Sequence, residues 1–433
     1  MERADVIILG GGMIGLTLAV ALDRHGLTSI VVDPADRATP AAPAQGGARY
    51  DRAGYDGRAT AVASASWRML EAIGIAGRLE GQGCPIRAIR VSDGLEPGGL
   101  LFDPPADEGP LGIMFENRLL RAALRTAAEA APGVTLITAH PGEVVRDDNG
   151  VRVALADGRL LLAPVLIGAE GRLSPTREAA GITLARWSYD HEALVVTVTH
   201  ERPHDNVAYE IFYPAGPFAI LPMLPAPVVS DNGSAALSRS APAEAGGVSR
   251  SAIVWSIKAA DAPALLGLPD RAMAAEIEKR MGGFLGRIEL AGPRSSYRLG
   301  FHHAATITGQ RFALAGDAAH GIHPIAGQGL NLGWRDVAAL TQVLVEGARL
   351  GLDLGDAQLL DRYQRWRSLD TLMVAAATDG LTRLYGVPGR TASAVRRLGM
   401  GVVQRIGPLK NWLMAEARGE NGDLPLLLRG LTI

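Results

Sequence analysis

A carboxylate, a proline and several glycines lie close together between Gly316 and Gly333. The apolar run Phe312 to Ala315 predicts a strand that delivers Asp317 to a loop. A buried carboxylate at this place can accept hydrogen bonds from the hydroxyls of a ribityl chain. Pro324 then stops regular structure, and the pattern as a whole predicts a flavin site. The alternative is an ordinary strand-loop-helix turn.

A helix is predicted directly after this loop, because Leu330 to Leu344 has helical periodicity. Gly327 and Gly329 allow the main chain to approach a flat ring. The start of the helix directs partial positive charge at the pyrimidine end of a flavin, which becomes negative on reduction. This segment therefore predicts stabilisation of a reduced flavin.

The N-terminal residues carry a second, complete pattern. Ala4 to Leu9 predicts a short strand, which is followed by the glycine-rich run Gly10 to Gly15 and a helix through about His25. A second strand, Ser29 to Val32, ends in Asp33. This order of elements is typical of a βαβ dinucleotide-binding unit.

Each residue of this pattern has a physical role in binding a dinucleotide. Gly10 permits the tight turn, Gly12 lets the backbone approach the pyrophosphate, and Gly15 lets the helix pack on the strand. Asp33 is placed to bind ribose hydroxyls. The pattern alone does not distinguish FAD from NAD, but the ribityl contact predicted for Asp317 favours FAD.

Composition fits a soluble enzyme and is ordinary for a globular protein. The chain has 433 residues, 48% of them hydrophobic, and 43 basic against 45 acidic residues give a net charge of -2. This balance gives no sign of a nucleic-acid partner. The single cysteine, Cys84, excludes an internal disulfide and a cysteine-based metal cluster, and no metal site is expected. We expect a cytoplasmic protein, because no segment has the pattern of a membrane span or signal peptide.

The predicted fold class is α/β, with a Rossmann-like FAD-binding domain interleaved with an antiparallel β-sheet substrate domain and followed by C-terminal helices. The FAD-binding domain is assigned to 1–82, 112–186 and 295–350, the sheet domain to 83–111 and 187–294, and the helical region to 351–433. A mobile loop is expected at 226–250, which is rich in Ala, Ser, Gly and Pro.

Further elements follow from local patterns. The predicted sheet strands are Ile86 to Val91, His191 to Thr199, Val207 to Tyr213, Phe218 to Met223 and Ser251 to Ile257. Leu160 to Ala169 predicts one strand of the nucleotide domain, and the predicted helices are Asp56 to Ile73, Leu119 to Ala131, Leu359 to Leu384 and Ala392 to Ala417. Arg58, near the start of its helix, is a candidate for contact with the pyrophosphate or flavin edge, and a surface arginine is the alternative.

Four segments together resemble one family: Gly10 to Gly15, Gly168-Ala169-Glu170-Gly171, Gly316-Asp317 and His323 to Gly329. They are similar to the ubiquinone-biosynthesis FAD-dependent hydroxylases, which are group A flavoprotein monooxygenases with the para-hydroxybenzoate hydroxylase fold. Shorter stretches that favour this subfamily are Asp56-Gly57-Arg58, Leu111 to Arg118, Ala208 to Phe212 and Gly216 to Pro222. The ending Gly422 to Gly430 is similar to bacterial members of the family.

The resemblance also implies a set of cofactor contacts. Beyond the glycines and carboxylates above, they are Asn117, Glu170, Gly316, Pro324, Gln328 and Asn331. One residue departs from the family pattern, since Glu170 stands where the family usually has Asp. The longer side chain changes its reach, which bears more on a role in binding reduced pyridine nucleotide than on FAD binding.

The chemistry implied by the resemblance is hydroxylation of an aromatic ring by O2 through a flavin C4a-hydroperoxide. Electrons come from NAD(P)H or a redox partner. A base that removes a phenol proton helps this reaction, because a phenolate is the better nucleophile. The catalytic candidates are His323, Pro324 and Tyr209, and His302, His303 and His320 are further titratable residues near the flavin or the sheet, although structural roles suit each of them.

The substrate implied by the resemblance is a polyprenylated phenol or quinone precursor. Candidate substrate contacts on the predicted sheet are Tyr209, Phe212, Phe218 and Leu221, for which core packing is an equal alternative. Basic residues of the terminal helices are compatible with contact to anionic lipid of the inner membrane or with a solvated face: Arg396, Arg397, Arg405 and Lys410. We expect a homo-oligomer and a place in a ubiquinone-biosynthesis complex.

Three rival functions remain open from the sequence. One is an FAD-dependent hydroxylase of a soluble aromatic compound, and another is a flavin enzyme of a different class, such as a prenyl-chain reductase or a halogenase. The third is a non-catalytic flavin-binding scaffold in the quinone pathway.

Overall fold

The structure, a computed structural model, describes residues 1–34, 57–97, 99–226, 248–321, 328–368 and 389–433. Its strands up to residue 168 are β1 (Glu2–Arg3), β2 (Val6–Leu9), β3 (Ser29–Asp33), β4 (Ala59–Ala63), β5 (Cys84–Ile86), β6 (Ala88–Asp93), β7 (Leu100–Phe102), β8 (Gly112–Glu116), β9 (Val134–Thr138), β10 (Pro141–Asp147), β11 (Gly150–Leu155), β12 (Leu160–Ala163) and β13 (Val165–Gly168). Those that follow are β14 (Leu184–His200), β15 (Val207–Tyr213), β16 (Gly216–Ala226), β17 (Val248–Lys258), β18 (Ile288–Leu290), β19 (Ser295–Ala304), β20 (Thr308–Gly309), β21 (Phe312–Leu314) and β22 (His320–Gly321).

Helices surround these strands. They are α1 (Met13–Arg24), α2 (Ser64–Ala72), α3 (Asn117–Ala130), α4 (Pro175–Ala179), α5 (Ala262–Leu266), α6 (Asp270–Met281), α7 (Gln328–Arg349), α8 (357–368, the part that is described), α9 (Arg390–Arg405) and α10 (Gly407–Arg418). None of the helices in these described ranges is long and apolar enough to cross a membrane.

A six-stranded sheet, in the order β20-β21-β13-β2-β3-β9, forms the centre of the nucleotide-binding part. Its strands are parallel except for β20. The residues of β2 are all buried, as expected for a strand covered on both faces. Because β21, β13 and β2 are adjacent and parallel, the loops that follow them meet at one edge. This edge brings together Gly10, Glu170 and Asp317.

A nine-stranded sheet forms the second large unit, with the strand order β22-β19-β14-β17-β16-β15-β6-β7 and β18 paired to β14. It is mostly antiparallel as predicted, but β15 and β6 run parallel. We call the face with Leu194, Ile211 and Phe218 the outer face, and it packs on α5 and α6. The opposite, inner face carries Ala208 and Leu221 and packs against β4 and the C-terminal helices.

A smaller sheet, β4-β8-β5, lies against the inner face. Ala59 and Ala61 of β4 pack with Leu221, Met223 and their neighbours. The predicted helix from Asp56 to Ile73 is therefore wrong in its first part, because residues 59–63 pair antiparallel with β8 and α2 starts only at Ser64. The short side chains Ala59, Ala61 and Ala63 allow this strand to lie close to its neighbours.

Two other boundaries differ from the sequence prediction. The expected strand Leu160 to Ala169 is interrupted at Pro164, so that β12 and β13 belong to different sheets. Proline has no N–H to continue a ladder. The expected helix Ala392 to Ala417 is two helices that meet at Ile406, and Pro408 lies in the first turn of the second, where its fixed geometry is favourable.

Some predictions fall outside the described residues. They are the catalytic candidates His323 and Pro324, the glycine Gly327, most of the expected loop 226–250 and the second half of the helix Leu359 to Leu384.

Candidate flavin site

The glycine turn after β2 is shaped by close packing. Gly10 has φ 108°, and a Cβ there would lie 2.4 Å from the carbonyl oxygen of Ala169. A Cβ on Gly15 would lie 1.9 Å from the carbonyl oxygen of Gly10. A Cβ on Gly12 would meet no atom within 4 Å, so this backbone is open to an approaching group. The three glycines thus differ in their surroundings, and Gly12 as the pyrophosphate contact stays a prediction.

Asp33 lies at the end of β3 and is buried. Its Oδ2 accepts a hydrogen bond of 2.7 Å from the backbone N–H of Gly11. The carboxylate therefore fixes the glycine turn as well as standing at the position expected to bind a ribose.

Asp317 lies in a single helical turn directly after β21. Its side chain is 43% exposed, and its Oδ2 lies 3.3 Å from Nε of Arg172. The expectation of a buried carboxylate is therefore wrong. Asp317 follows the end of β21 at the edge of the sheet, where an exposed carboxylate is accessible to a ligand.

The turn that carries Asp317 is anchored from below by Asp336, a fully buried residue of α7. Oδ2 of Asp336 accepts hydrogen bonds from the N–H of Gly316 at 2.9 Å and from Nε2 of His320 at 2.6 Å. Nε of Arg367 in α8 lies 2.7 Å from Oδ1. Burial acts to raise the pKa of Asp336, but the charges and hydrogen bonds of His320 and Arg367 lower it below its ordinary value.

Sequence reasoning did not find this anchor. The available signal was an Arg-Asp pair, Arg335-Asp336, within an otherwise apolar helix. A charge on the buried side of a helix is expected to have partners, but only the fold shows that these come from positions 316, 320 and 367.

Glu170, at the end of β13, binds the start of α4. Its Oε2 accepts a hydrogen bond from Oγ of Ser174 at 2.6 Å, and its Oε1 accepts bonds from the N–H and hydroxyl of Thr176. The additional methylene relative to Asp therefore gives a reach that is used within the loop. Glu170 as a cofactor contact stays a prediction.

Two arginines lie on the exposed side of this edge. The charges of Arg58 and Arg172 both lower the pKa of Tyr297, although burial of the ring is the larger effect and raises it. Arg58 is exposed, and its carbonyl oxygen accepts a hydrogen bond from the N–H of Asn117. Positive charge is thus available near Asp317 for an anionic part of a cofactor.

Asn117 and Asn331 bind the protein itself through their side chains. Oδ1 of Asn117 accepts a hydrogen bond from the hydroxyl of Thr60 at 2.6 Å. Asn331, in the first turn of α7, accepts from the N–H of Ala63 and donates to the carbonyl of Ala61, both at 2.9 Å. Asn331 therefore fastens β4 to the helix that starts after the glycine loop.

The start of α7 is where the predicted contacts Gln328 and Gly329 lie. A Cβ on Gly329 would meet no atom within 4 Å, so the main chain is accessible at this residue. The predicted helix after the glycine loop is confirmed, and it begins close to the segment that contains Asp317.

The four candidate substrate residues divide between the two faces of the nine-stranded sheet. Tyr209 and Phe218 lie on the outer face, where Tyr209 contacts Phe284 with ring centroids 4.5 Å apart and Phe218 is fully buried. Phe212 and Leu221 lie on the inner face by alternation. This placement favours core packing for Tyr209 and Phe218. Phe212 and Leu221 lie instead on the face that packs against β4 and the C-terminal helices.

The histidine candidates have structural contacts. Nε2 of His302 lies 2.8 Å from the carbonyl oxygen of Asp317, and burial lowers the pKa of His302. Burial likewise lowers the pKa of His303. His320 binds Asp336. His302 and His320 therefore support the turn that carries Asp317.

The residues at this edge fit FAD. Gly12 gives an open backbone for pyrophosphate, Asp33 and Asp317 are acceptors for hydroxyl groups, and Arg58 and Arg172 supply positive charge. These groups come from the ends of four parallel strands, β2, β3, β13 and β21, and from the loop before β4. Together they would hold the two halves of a dinucleotide with a ribityl chain between them.

Comparison with known proteins agrees with this geometry. A family model described as FAD binding domain matches residues 3–377. Ubiquinone hydroxylase UbiL of Rhodospirillum rubrum is 42% identical over 99% of this chain and 94% of its own length. The 3-demethoxyubiquinol 3-hydroxylase of Escherichia coli is 31% identical, covering 96% of this chain and 99% of its own.

The fold is also found among solved structures. The crystal structure of p-nitrophenol 4-monooxygenase from Pseudomonas putida has a TM-score of 0.72 at 17% identity, covering 98% of this chain and 99% of that chain. The predicted fold class and the predicted cofactor, FAD, are thereby confirmed. With the family model and these relatives covering nearly the whole sequence, the chain belongs to the FAD-binding domain family and, within it, to the ubiquinone-biosynthesis FAD-dependent hydroxylases.

Proposed function

We propose that the protein hydroxylates the aromatic ring of a polyprenylated phenol or quinone precursor, using FAD and O2 with electrons from NAD(P)H or a redox partner. The observation that carries this proposal is the position of the sheet edge with Gly10, Glu170 and Asp317 beside a second sheet whose inner face is largely apolar. A ring and an attached apolar chain suit such a surface. The names of the relatives, ubiquinone hydroxylase and 3-demethoxyubiquinol 3-hydroxylase, support the substrate class.

The residues of this chain would bind and orient the two reactants. Bound FAD supplies the oxygen-activating chemistry, which the protein cannot perform with side chains alone. Asp33 and Asp317 hold the cofactor by its hydroxyl groups, and Asp336 keeps the turn of Asp317 in place. Leu221 and Met223 of the inner face, with Met114 of β8, exclude water from the ring.

The division of labour between domains follows the same proposal. We assign FAD binding to 1–82, 112–186 and 295–350, substrate binding to 83–111 and 187–294, and a supporting role to 351–433. The substrate would lie between the first two, on the inner face.

We also propose that α9 and α10 contact the membrane that holds a polyprenylated substrate. Apolar side chains are exposed along these helices at helical spacing: Val395, Leu398, Val402, Ile406, Leu409 and Trp412. Arg405 is exposed beside them, whereas Arg396, Arg397 and Lys410 are engaged with Asp93, Glu96 and Asp103. The apolar residues would therefore contribute more to lipid contact than the basic ones. We propose, from the family resemblance, self-association and a place in a ubiquinone-biosynthesis complex on the cytoplasmic side.

Metabolite analysis of a deletion strain tests the substrate class. We expect accumulation of a prenylated phenol that lacks one hydroxyl, and restoration of quinone by the plasmid-borne gene. The structure of the intermediate would identify the ring carbon. Unchanged quinone levels would contradict the proposal and would favour a soluble aromatic substrate.

A further inference from the structure

Glu210 is a buried carboxyl residue on the inner face of the nine-stranded sheet. It lies on β15 between Ala208 and Phe212, and its partners in the adjacent strands are Val91 and Ala219. These four neighbours are apolar. Glu210 is 9% exposed.

The inner face is connected through β4 to the start of α7, the helix that follows the glycine loop of the predicted flavin site. Leu221, opposite Ala208 on this face, packs with Ala61 of β4. The carbonyl of Ala61 accepts the hydrogen bond from Asn331, which lies in the first turn of α7. One strand therefore separates the face that carries Glu210 from the helix that starts at the glycine loop.

Glu210 differs from the other buried carboxylates of the described residues in having no partner. Gly11 N–H binds Asp33, and charged side chains bind the remaining three, which are Asp93, Glu116 and Asp336. For Glu210, burial alone acts, and it raises the pKa to about 7. A carboxyl group left in this condition destabilises the fold, so a position like this suggests a task in function.

We propose that Glu210 removes the proton from the ring hydroxyl of the phenol substrate, an inference that rests on the proposed function. The O–H bond of the phenol breaks, the proton passes to a carboxylate oxygen of Glu210, and the electron pair remains on the phenolate oxygen. The phenolate is richer in electrons at the ring carbon that receives oxygen. The proton returns to water when the product leaves.

Other charged or titratable groups of this region do not offer an equivalent base. Asp93 and Arg396 pair with each other, and so do Glu116 and Arg250. The thiol of Cys84 in β5 is buried, which raises its pKa to about 12. Glu210 is the group among them that changes charge near neutral pH.

The test is the pH profile of kcat/KM for hydroxylation of a short-chain prenylphenol by the FAD-loaded enzyme and by Glu210→Gln. In the wild type we expect kcat/KM to fall as pH drops below about 7, because protonated Glu210 cannot accept a proton. Glu210→Gln should lose this acid limb and be at least ~100-fold slower at pH 8, the range of general-base catalysis. Its rate should recover with a fluorinated prenylphenol that is already ionised at that pH.

Three measurements keep the outcomes separate. FAD content and Tm should be unchanged in Glu210→Gln, because loss of an unpartnered buried charge does not destabilise the fold, and Glu210→Asp should keep part of the acid limb. The matched control is Glu289→Gln on β18 of the same sheet, an exposed residue that should behave as wild type. An unaltered profile in Glu210→Gln would overturn the role of Glu210 alone, whereas a wild type that hydroxylates no prenylphenol would overturn the proposed function and the base with it.

Discussion

Nε of Arg367 lies 2.7 Å from Oδ1 of Asp336, and both side chains are buried. The same carboxylate holds the N–H of Gly316 and the imidazole of His320 through its other oxygen. The ion pair between α7 and α8 thus stabilises the turn that carries Asp317. Asp317, the predicted cofactor contact, and Asp336, which anchors its turn, lie on different elements and can be tested separately.

Replacement of Asp336 should lower both the stability of the protein and its FAD content. In Asp336→Asn, the buried ion pair with Arg367 is broken by removal of one of its charges, which typically costs about 3–5 kcal/mol. We expect a lower Tm and a lower flavin-to-protein absorbance ratio in the purified protein. Asp361→Asn, an exposed carboxylate on α8, is the matched control and should change neither. A variant with normal Tm would contradict the anchoring role of Asp336.

The same pair predicts an acid-dependent loss of stability. Because the pKa of Asp336 is below its ordinary value in the folded protein, its contribution is fully present above the unfolded pKa, which is about 3.9. The contribution is lost as pH falls through the folded value. As the pH is lowered from 5 into the acid range, the free energy of unfolding of the wild type should therefore fall by more than that of Asp336→Asn. Urea unfolding at each pH measures both values. Equal losses would exclude this linkage.

Replacement of Asp317, the predicted FAD contact, should leave the stability of the protein nearly unchanged. Asp317 and Arg172 are both more than two-fifths exposed, and a surface ion pair of this kind contributes ~1 kcal/mol or less. Asp317→Ala should therefore fold with nearly unchanged Tm in the apoprotein but lose FAD on gel filtration. Full flavin occupancy in this variant would refute the ribityl contact.

Two glycines of the N-terminal turn should differ in the same way, since replacement of one affects FAD binding alone and replacement of the other affects folding. A Cβ at Gly12 would meet no protein atom within 4 Å, so Gly12→Val should fold normally and lose FAD by blocking the pyrophosphate. At Gly15 a Cβ would collide with the backbone of Gly10, so Gly15→Val should fail to give soluble protein. Circular dichroism and flavin absorbance distinguish the two. Retention of FAD by Gly12→Val would show that the pyrophosphate lies elsewhere.

The exposed apolar residues of α9 allow a test of membrane contact. Leu398→Glu with Val402→Glu should reduce co-sedimentation with vesicles of anionic phospholipid several-fold, because apolar burial drives interfacial binding. The fold should tolerate both changes, since the two side chains are exposed. Arg405→Gln should have a smaller effect that disappears in neutral vesicles. Equal binding by all variants would argue against this surface.

Local patterns were sufficient for the parts of the fold in which one segment carries its own signal. The βαβ unit around Gly10 and the strand before Asp317 are examples, because periodicity and glycine spacing are properties of neighbouring residues. The strand at Ala59–Ala63 was missed, since its pairing with Gly112–Glu116 depends on residues distant in the chain. Asp336 and Glu210 were missed for a related reason. Whether a buried carboxylate has a partner is decided by the three-dimensional arrangement.

The order of strands β21, β13 and β2 in the six-stranded sheet determines when, during synthesis of the chain, the FAD site can form. Neighbours in this sheet come from the beginning, the middle and the last third of the chain, and α7 must follow before Asp336 can hold Gly316. A ribosome-bound chain therefore has no complete receptor for FAD until α7 has emerged, and contacts of such long sequence separation form slowly. Truncated chains that end before residue 336 should be unable to acquire the cofactor, which makes FAD capture a signal that synthesis has passed this point.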